Sequence, residues 1–387
     1  MILYFVPILL CVITALSKGL SDSPRWRVAV FVLLCLFLCF GYMTGSDWRI
    51  YEHWYNALDF NKFYYGYMNE PGYYLYMMLF RKCGIPFWIF FILTKIAIFY
   101  IVFKSFFSIC KECGWISLSY YVPLIGLYMF IDNPMRNAIA VGLFMLSIRF
   151  IIEKDLRKYL LMILLATSFH ASAVFMIPMY WLLDKRVSTK LYVILFLLIN
   201  ILFINRQLLV DIIVSIFSFV PFFNEKVITY FLMESVFVEG KVFSFGMVWH
   251  ICLFILLLIY KESVIDRIGE KYGTLVYNSA MIYLLLVRMA LSIPIFMRIQ
   301  LYFAVYFCIC AGLLILCFEW RSRLLYICML FLVSSYICLD KITSSARYIP
   351  YSNVVEYAFK GEFPSYSQRF YYNIKHSPYT QEVDLSD

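Results

Sequence analysis

Arginines stand beside or inside apolar segments of this sequence, where charged side chains are costly and often functional. They are Arg49, Arg136, Arg206, Arg288, Arg298 and Arg347. A guanidinium stays charged and donates two parallel hydrogen bonds to phosphate. Several arginines converging on one point would bind a pyrophosphate without a metal. The alternative is that each side chain extends to lipid headgroups at a helix end. We favour Arg136 and Arg298, because each opens an apolar span.

A histidine lies in a run of small residues between Ala166 and Ala173. The imidazole of His170 can abstract a hydroxyl proton near neutral pH, and small neighbours allow helices to approach closely. The alternative is a packed histidine bonded to a backbone carbonyl. We keep both interpretations of His170: general base and structural residue.

Two carboxylates, Asp47 and Glu70, bracket an aromatic-rich segment that is longer than a simple connection needs. Carboxylates bind sugar hydroxyls or act as a base, and the rings of Trp48 and Trp54 can stack on sugars. The alternative for the aromatic residues is the belt at a membrane interface. Arg49 and the two carboxylates predict a polar site that accepts a saccharide.

The composition decides what kind of protein carries these residues. The chain has 387 residues, of which 64% are hydrophobic and 15% charged. A soluble domain carries about a quarter charged residues, so this chain is suited to lipid, where only helices and closed barrels satisfy the backbone. Long unbroken apolar runs favour helices over alternating barrel strands. The sequence predicts an all-α, polytopic membrane protein.

The net charge of +9 is spread along the chain and does not indicate nucleic-acid binding. The twelve cysteines lie mostly in apolar segments and are typical of packing residues. Cys110 and Cys113 form one C-x-x-C pair without the second pair or histidine of a zinc site. We therefore predict no metal and no cofactor. The apolar run at residues 2–16 is interpreted as a retained span.

About 20 apolar residues cross a membrane. The candidate spans are 1–17, 27–44, 86–103, 115–131, 137–152, 190–205, 244–260, 273–293, 299–318 and 324–339. With ambiguous stretches at 71–80, 159–183 and 207–223, we expect 10–13 membrane segments. Basic residues cluster in alternate short loops, which we place in the cytoplasm. Both termini and the site residues then lie outside.

Residues 159–183 lie between two basic loops, so both ends of this stretch belong inside. Two half-length helices meeting near His170 would satisfy that requirement, and the alternative is one full span. The stretch 71–80 is treated as too short to span, which leaves Arg81 and Lys82 outside. We divide the chain into a membrane domain, 1–340, with outer loops 45–85 and 205–243, and a polar outer tail, 341–387.

Several motifs, in this order, resemble the EpsG family of Wzy-type polysaccharide polymerases. The matching pieces are Gly-Ser-Asp at 45–47, Glu-Pro-Gly-Tyr at 70–73, Arg-Asn-Ala-Ile-Ala at 136–140, Ala-Thr-Ser-Phe-His-Ala-Ser-Ala at 166–173, Arg298 before an apolar span, and Tyr-Ile-Pro-Tyr at 348–351. The motifs around Arg136 and His170 are the most specific. The resemblance covers roughly residues 1–355.

The resemblance implies a metal-independent glycosyltransferase of the GT-C kind in the bacterial inner membrane. Its substrate would be an undecaprenyl-pyrophosphate-linked oligosaccharide at the outer face, and its partners the bilayer and a chain-length regulator. We assign catalytic roles to His170, Asp47 and Arg136, with His170 favoured over Asp47 as the general base. Substrate-binding roles fall to Arg49, Glu70, Arg288, Arg298, Arg347 and Trp48.

Two other functions fit parts of the pattern. A flippase for lipid-linked oligosaccharide would also need basic residues, although such transporters often show internal repeats, and we find none. A membrane acyltransferase could use His170 as its base. The sequence leaves the sugar, its linkage and the chain length open.

Overall fold

Helices make up nearly all of the regular structure in this chain. The computed structural model describes residues 1–58, 70–204, 215, 245–292, 294–344 and 348–376. Within these ranges the only β pairing is an isolated antiparallel bridge between Gly41 and Asn353. The prediction of an all-α bundle is confirmed.

The helices alternate between long apolar segments and short connecting pieces. In chain order they are α1 (Val6–Leu16), α2 (Lys18–Asp22), α3 (Pro24–Leu38), α4 (Trp48–Ala57), α5 (Pro71–Lys82), α6 (Phe87–Ile109), α7 (Gly114–Tyr121), α8 (Met135–Ile152), α9 (Leu156–Phe169), α10 (Met179–Leu182), α11 (Thr189–Ile204), α12 (Phe245–Ile259), α13 (Lys261–Ile268), α14 (Glu270–Ser292), α15 (Pro294–Gln300), α16 (Ala304–Cys317), α17 (Trp320–Ser344), α18 (Val354–Lys360) and α19 (Tyr366–His376).

Five helical segments in the described ranges are long and apolar enough to cross a membrane. They are Phe87–Ile109, Met135–Ile152, Lys271–Leu291, Ile295–Cys317 and Trp320–Thr343. The pair α12 and α13, bent by 74°, makes a sixth if it is one span, and three shorter apolar helices accompany them. The predicted total of 10–13 segments stays a prediction.

The predicted inner loops meet at one end of the bundle. Lys111 pairs with Asp22 at 3.4 Å, and the Lys261 ammonium donates to the carbonyl of Val187 at 2.8 Å. Helix α6, about 35 Å long at 1.5 Å per residue, connects this end to the opposite one. There its first residue, Phe87, packs on Tyr55 with ring centroids 5.8 Å apart.

Helix α7 continues as two π-helical turns, Val122–Gly126 and Tyr128–Asp132. Pro123 starts this change, since it has no N–H to donate and its ring clashes with the preceding turn. The buried Lys95 and the half-buried Lys341 donate hydrogen bonds to this irregular stretch. The Lys341 ammonium donates to the Leu124 carbonyl at 2.6 Å, and Lys95 donates to Phe130 at 3.1 Å.

Residues 159–183 form a hairpin of two antiparallel limbs, so both ends of the stretch lie at the same end of the bundle. Helix α9 stops at Phe169, and a 3-10 turn, Ala171–Met176, leads back. The Tyr159 hydroxyl donates to the Met176 carbonyl at 2.5 Å, and the rings of Tyr159 and Tyr180 lie 5.3 Å apart. One continuous helix would separate these tyrosines by about 32 Å. The structure therefore selects the two-limbed hairpin over the single span.

The stretch 71–80 lies within α5, a helix of 12 residues. At about 18 Å, α5 is too short to cross a bilayer. Its Arg81 guanidinium donates to the Tyr55 carbonyl in α4, at the same end as the start of α6. Arg81 therefore lies at the end of the bundle where α6 begins, and its side of the membrane stays a prediction.

The described part of the C-terminal tail, residues 348–376, covers the end opposite the basic loops. The Tyr4 hydroxyl donates to the Tyr348 carbonyl, and Tyr42 donates to Pro364 at 3.2 Å. Because the backbone of Gly41 pairs with Asn353, α3 ends at Leu38 rather than continuing through the predicted span 27–44.

The hairpin predicts that its two ends face the same side of the membrane. We expect Lys154→Cys and Lys185→Cys to react with a membrane-impermeant maleimide under the same condition, because Lys154 pairs with Asp184. The exposed Cys83, Cys252 and Cys328 are first replaced by serine. Tyr371→Cys, on the exposed tail, should react from the opposite side. Labelling of positions 154 and 185 from opposite sides would contradict the hairpin.

Candidate functional site

Two carboxylates come together where the segment after α3 crosses the end of the π-helical stretch. The Ser46 backbone N–H and hydroxyl both lie within bonding distance of Asp132 Oδ1, at 3.0 and 2.8 Å. The same hydroxyl lies 3.0 Å from Asp47 Oδ1. Gly45 makes this crossing possible, because a Cβ there would lie 2.2 Å from the Ile131 carbonyl oxygen. Asp132 is buried and Asp47 is half-buried.

An ion pair lies next to this crossing. Arg136, in the first turn of α8, pairs through Nη1 with Glu70 Oε2. The other oxygen of Glu70 accepts the backbone N–H of Ala171 at 3.4 Å. Glu70 thus joins the start of α5, the start of α8 and the turn of the hairpin. Gly72 lets α5 approach that turn, since a Cβ there would lie 2.1 Å from the Ser168 hydroxyl oxygen.

Aromatic rings cover the guanidinium of Arg136. Its Cζ lies 5.3 Å from the Trp54 ring centroid and 6.0 Å from that of Tyr51. Burial raises the pKa of Tyr51 to about 12, although the nearby Arg136 opposes the shift. Tyr51 therefore stays protonated at neutral pH. The half-buried Trp54 is the aromatic side chain beside the arginine that remains accessible to a ligand.

His170 is held at the turn of the hairpin by its own neighbour. Its Nδ1 accepts the Ser172 backbone N–H at 3.2 Å and lies 2.6 Å from the Ser172 hydroxyl. The Ser172 hydroxyl in turn lies 3.1 Å from the hydroxyl of Tyr302. A backbone N–H can only donate, so Nδ1 carries no proton and a neutral ring is protonated at Nε2. A neutral His170 therefore presents a donor at Nε2.

The start of α8 leaves several buried polar atoms without a protein partner. They are Arg136 Nε, Asn137 Oδ1 and Asn133 Nδ2, and both asparagines are 1% exposed. The helix has 18 residues and no side-chain cap at its N-terminus. Unpaired amides at a helix start attract anions. Buried polar atoms without partners point to a ligand.

Arg298 approaches the same place from α15. Its backbone carbonyl accepts Asn137 Nδ2 at 3.4 Å, and its side chain lies within electrostatic reach of Tyr128, as do Asp132 and Asp47. The structure thus brings together Arg136, Arg298, Glu70, Asp47 and His170, which the sequence analysis had selected.

Other predicted site residues are placed elsewhere. Arg288 donates from Nε to Asn200 Oδ1 in α11 at 2.9 Å. Arg49 lies 5.2 Å from the Tyr366 ring of the tail. Trp48 is 3% exposed and packs against Trp88, so its face is not open to a sugar. Arg347 lies outside the described residues. The predicted outer segment 205–243, which contains Arg206, also lies outside them, except for residue 215.

Three residues of the site were not selected from the sequence. Ser172 stands inside the motif at 166–173, and Asp132 stands four residues before Arg136. A search for every carboxylate and hydroxyl in and beside these motifs would have found both. Tyr302 stands in an apolar span, with no local signal that marks it. Its contribution follows only from its contact with Ser172.

The arrangement has two chemical halves. The helix start with Arg136 can hold an anion through a guanidinium and backbone amides, without a bound cation. The half-buried Asp47 can accept a proton. In the described ranges, no three His, Cys, Asp or Glu side chains are grouped so that they could hold a metal ion.

Comparison with known proteins identifies a family. The model of the EpsG family matches residues 25–357. The match includes every site residue described above and ends within α18, so α19 lies beyond it. No curated protein and no solved structure matches the chain significantly.

Because the chain crosses so closely at Gly45, we expect a single added methyl group there to lower the stability of the protein unusually strongly. Gly45 has φ +82° and Gly84 has φ +72°, but a Cβ at Gly84 would meet nothing within 4 Å. A left-handed backbone costs an L-residue about 1–2 kcal/mol at either position. Gly45→Ala adds a clash with backbone atoms, so we expect its melting temperature in detergent to fall well below that of Gly84→Ala. Equal shifts would show that the crossing is not tight.

Proposed function

Because the chain belongs to the EpsG family, we propose that it is a glycosyltransferase that polymerises lipid-linked oligosaccharides. Membership of this family supports a polysaccharide polymerase-like function. Several apolar helices support a multi-pass membrane protein. We place the reaction at the outer face of the bacterial cytoplasmic membrane. The donor and acceptor are repeat units on undecaprenyl pyrophosphate.

The reaction exchanges one bond to an anomeric carbon for another. The bond between that carbon and the pyrophosphate oxygen breaks, and a bond to a hydroxyl oxygen of the acceptor sugar forms. The hydroxyl proton passes to a base, and undecaprenyl pyrophosphate leaves with the bonding electrons. The protein must therefore stabilise the departing pyrophosphate and remove one proton.

We rest the proposal on the unpaired Nε of Arg136 at the uncapped start of α8. The pyrophosphate would accept hydrogen bonds from this guanidinium and from amides of the first helical turn that follow Met135, whose own N–H donates to the Asn133 carbonyl. Glu70 holds Arg136 through Nη1 and orients its remaining donors. Arg298, which approaches on α15, would neutralise the second phosphate. These fixed charges serve in place of a metal ion.

Asp47 is better suited to act as the base than His170. Glu70 is already committed to Arg136 and to the Ala171 amide, and the histidine presents a protonated Nε2. Asp47 is a half-buried carboxylate whose position is maintained by Ser46 and by the packing of Gly45. We assign proton removal to Asp47 and hydrogen-bond donation to His170. Trp54 would stack against a sugar ring beside the arginine.

Purified protein should make longer glycans when it receives only lipid-linked repeat units in detergent with a chelator present. A polymerase needs no second membrane side, so we expect a ladder of products and an equivalent amount of released undecaprenyl pyrophosphate. Gel electrophoresis and lipid chromatography measure the two products. If the protein moves repeat units across liposome membranes but makes no ladder in detergent, it is a flippase instead.

The two candidate bases can be separated by conservative variants. We expect Asp47→Asn to lower the polymerisation rate at least about a hundredfold, the usual contribution of a general base. His170→Gln should retain a rate within about tenfold of the unmodified protein, because an amide keeps hydrogen bonding. Glu153→Gln, an exposed change near the basic loops, serves as the control. The reverse order of losses would assign proton removal to His170.

A further inference from the structure

A cavity of about 680 Å³ lies in the C-terminal tail, between α18, α19 and the segment that joins them. Its lining combines aromatic rings with charged and amide side chains. Among these residues are Glu356, Tyr357, Glu362, Gln368, Arg369 and Tyr372. The reaction proposed above does not use any of them.

Arg369 is the buried donor of this cavity, at 4% exposure. Its Nη2 donates to the Pro350 carbonyl at 2.6 Å, and its Nη1 lies 3.4 Å from the Tyr357 hydroxyl. The guanidinium carbon lies 5.1 Å from the Tyr372 ring centroid. Its Nε is buried and has no partner in the described structure. A buried donor left unpaired is costly, which points to an oxygen supplied by a ligand.

The lining distinguishes between classes of ligand. A lipid tail would require apolar walls. The cavity is also lined by Lys360, which pairs with Glu356 at 2.6 Å, and by Glu362 and Arg369. The charges of these four side chains sum to zero, so a phosphate finds no excess of positive charge there. Sugar hydroxyls both donate and accept hydrogen bonds, so they match carboxylates, an amide and a guanidinium together. The rings of Tyr357 and Tyr372 supply apolar faces for the C–H side of a sugar. A saccharide satisfies all of these groups.

The cavity is joined to the proposed site by a short segment of chain. Ser352 lines the cavity, and its carbonyl oxygen accepts a hydrogen bond of 3.3 Å from the Thr44 hydroxyl. Asp47 follows three residues later, at most about 10 Å along an extended chain. The ring of Tyr42 also packs on Tyr357 with centroids 5.2 Å apart. A glycan bound at Asp47 therefore reaches the cavity within a few sugar units.

We propose that this cavity is an oligosaccharide-binding subsite that retains the glycan between successive transfers. The inference rests on the proposed polymerase function. Most of the lining lies beyond the family match, which ends at residue 357. The subsite is therefore a feature of this chain that suits its particular glycan. Retention raises the number of transfers before release and so lengthens the product.

The experiment compares two neighbouring tyrosines in the full-length purified protein. Tyr372 lines the cavity, whereas Tyr371 is 68% exposed and does not. With lipid-linked repeat units, we expect Tyr372→Ala to shorten the mean product several-fold while the rate of the first transfer stays within about twofold. Tyr371→Ala should match the unmodified protein. Gln368→Ala provides a second, smaller change in the lining.

Binding of the oligosaccharide is measured separately, so that the subsite can be tested even if the purified protein does not polymerise repeat units. Saturation-transfer NMR uses the oligosaccharide released from its lipid, as one repeat unit and as a chain of several. We expect Tyr372→Ala to bind the longer chain roughly tenfold more weakly, and Tyr371→Ala to bind it normally. Preference for the longer chain identifies the growing glycan, whereas equal binding identifies the single repeat unit. Unchanged product length and unchanged binding in both lining variants would overturn the subsite.

Discussion

A backbone carbonyl in apolar surroundings must find a donor, and this requirement governs the centre of the molecule. The helix from Gly114 loosens into π turns after Pro123, and lysines from two distant helices donate to carbonyls there. Each unsatisfied group would cost several kcal/mol in lipid. The lysines therefore stabilise the irregular backbone that ends at Asp132 and turns, through Asn133 at φ +65°, into α8.

That turn positions the candidate site residues. Because Asp132 ends the π stretch, it can receive Ser46 and position Asp47. Because α8 starts three residues later, Arg136 stands beside them and meets Glu70. A regular helix through this stretch would rotate the turn and separate the carboxylates from the arginine. The irregular backbone is thus connected directly to the proposed chemistry.

The ion pair and the hairpin explain how the site avoids a cost that isolated charges would carry. Glu70 neutralises Arg136 and accepts an amide from the hairpin turn, so neither charge is left alone in a half-buried place. The remaining donor, Arg136 Nε, is available for a substrate. In the proposed function, the negatively charged pyrophosphate of the substrate accepts the hydrogen bond that Arg136 Nε does not donate within the protein.

The sequence by itself determined the helical class, because a chain with so few charged residues cannot cover a water-facing surface. It also selected Arg136, Arg298, Asp47, Glu70 and His170 as candidate site residues, because polar and charged side chains next to apolar spans are visible in local composition. Only the tertiary structure decided how they pair. Glu70 and Arg136 are 66 positions apart, and no local pattern records such a contact.

The same limit applies to the hairpin, to the protonation of His170 and to Tyr302. Hydropathy shows that 159–183 is apolar but not whether it turns, since both forms bury similar side chains. The turn is decided by Tyr159 meeting Tyr180 and by the ion pair that joins the two ends. The proton on His170 is decided by one backbone N–H. Such contacts depend on orientation in three dimensions, and residue types along a chain do not specify it.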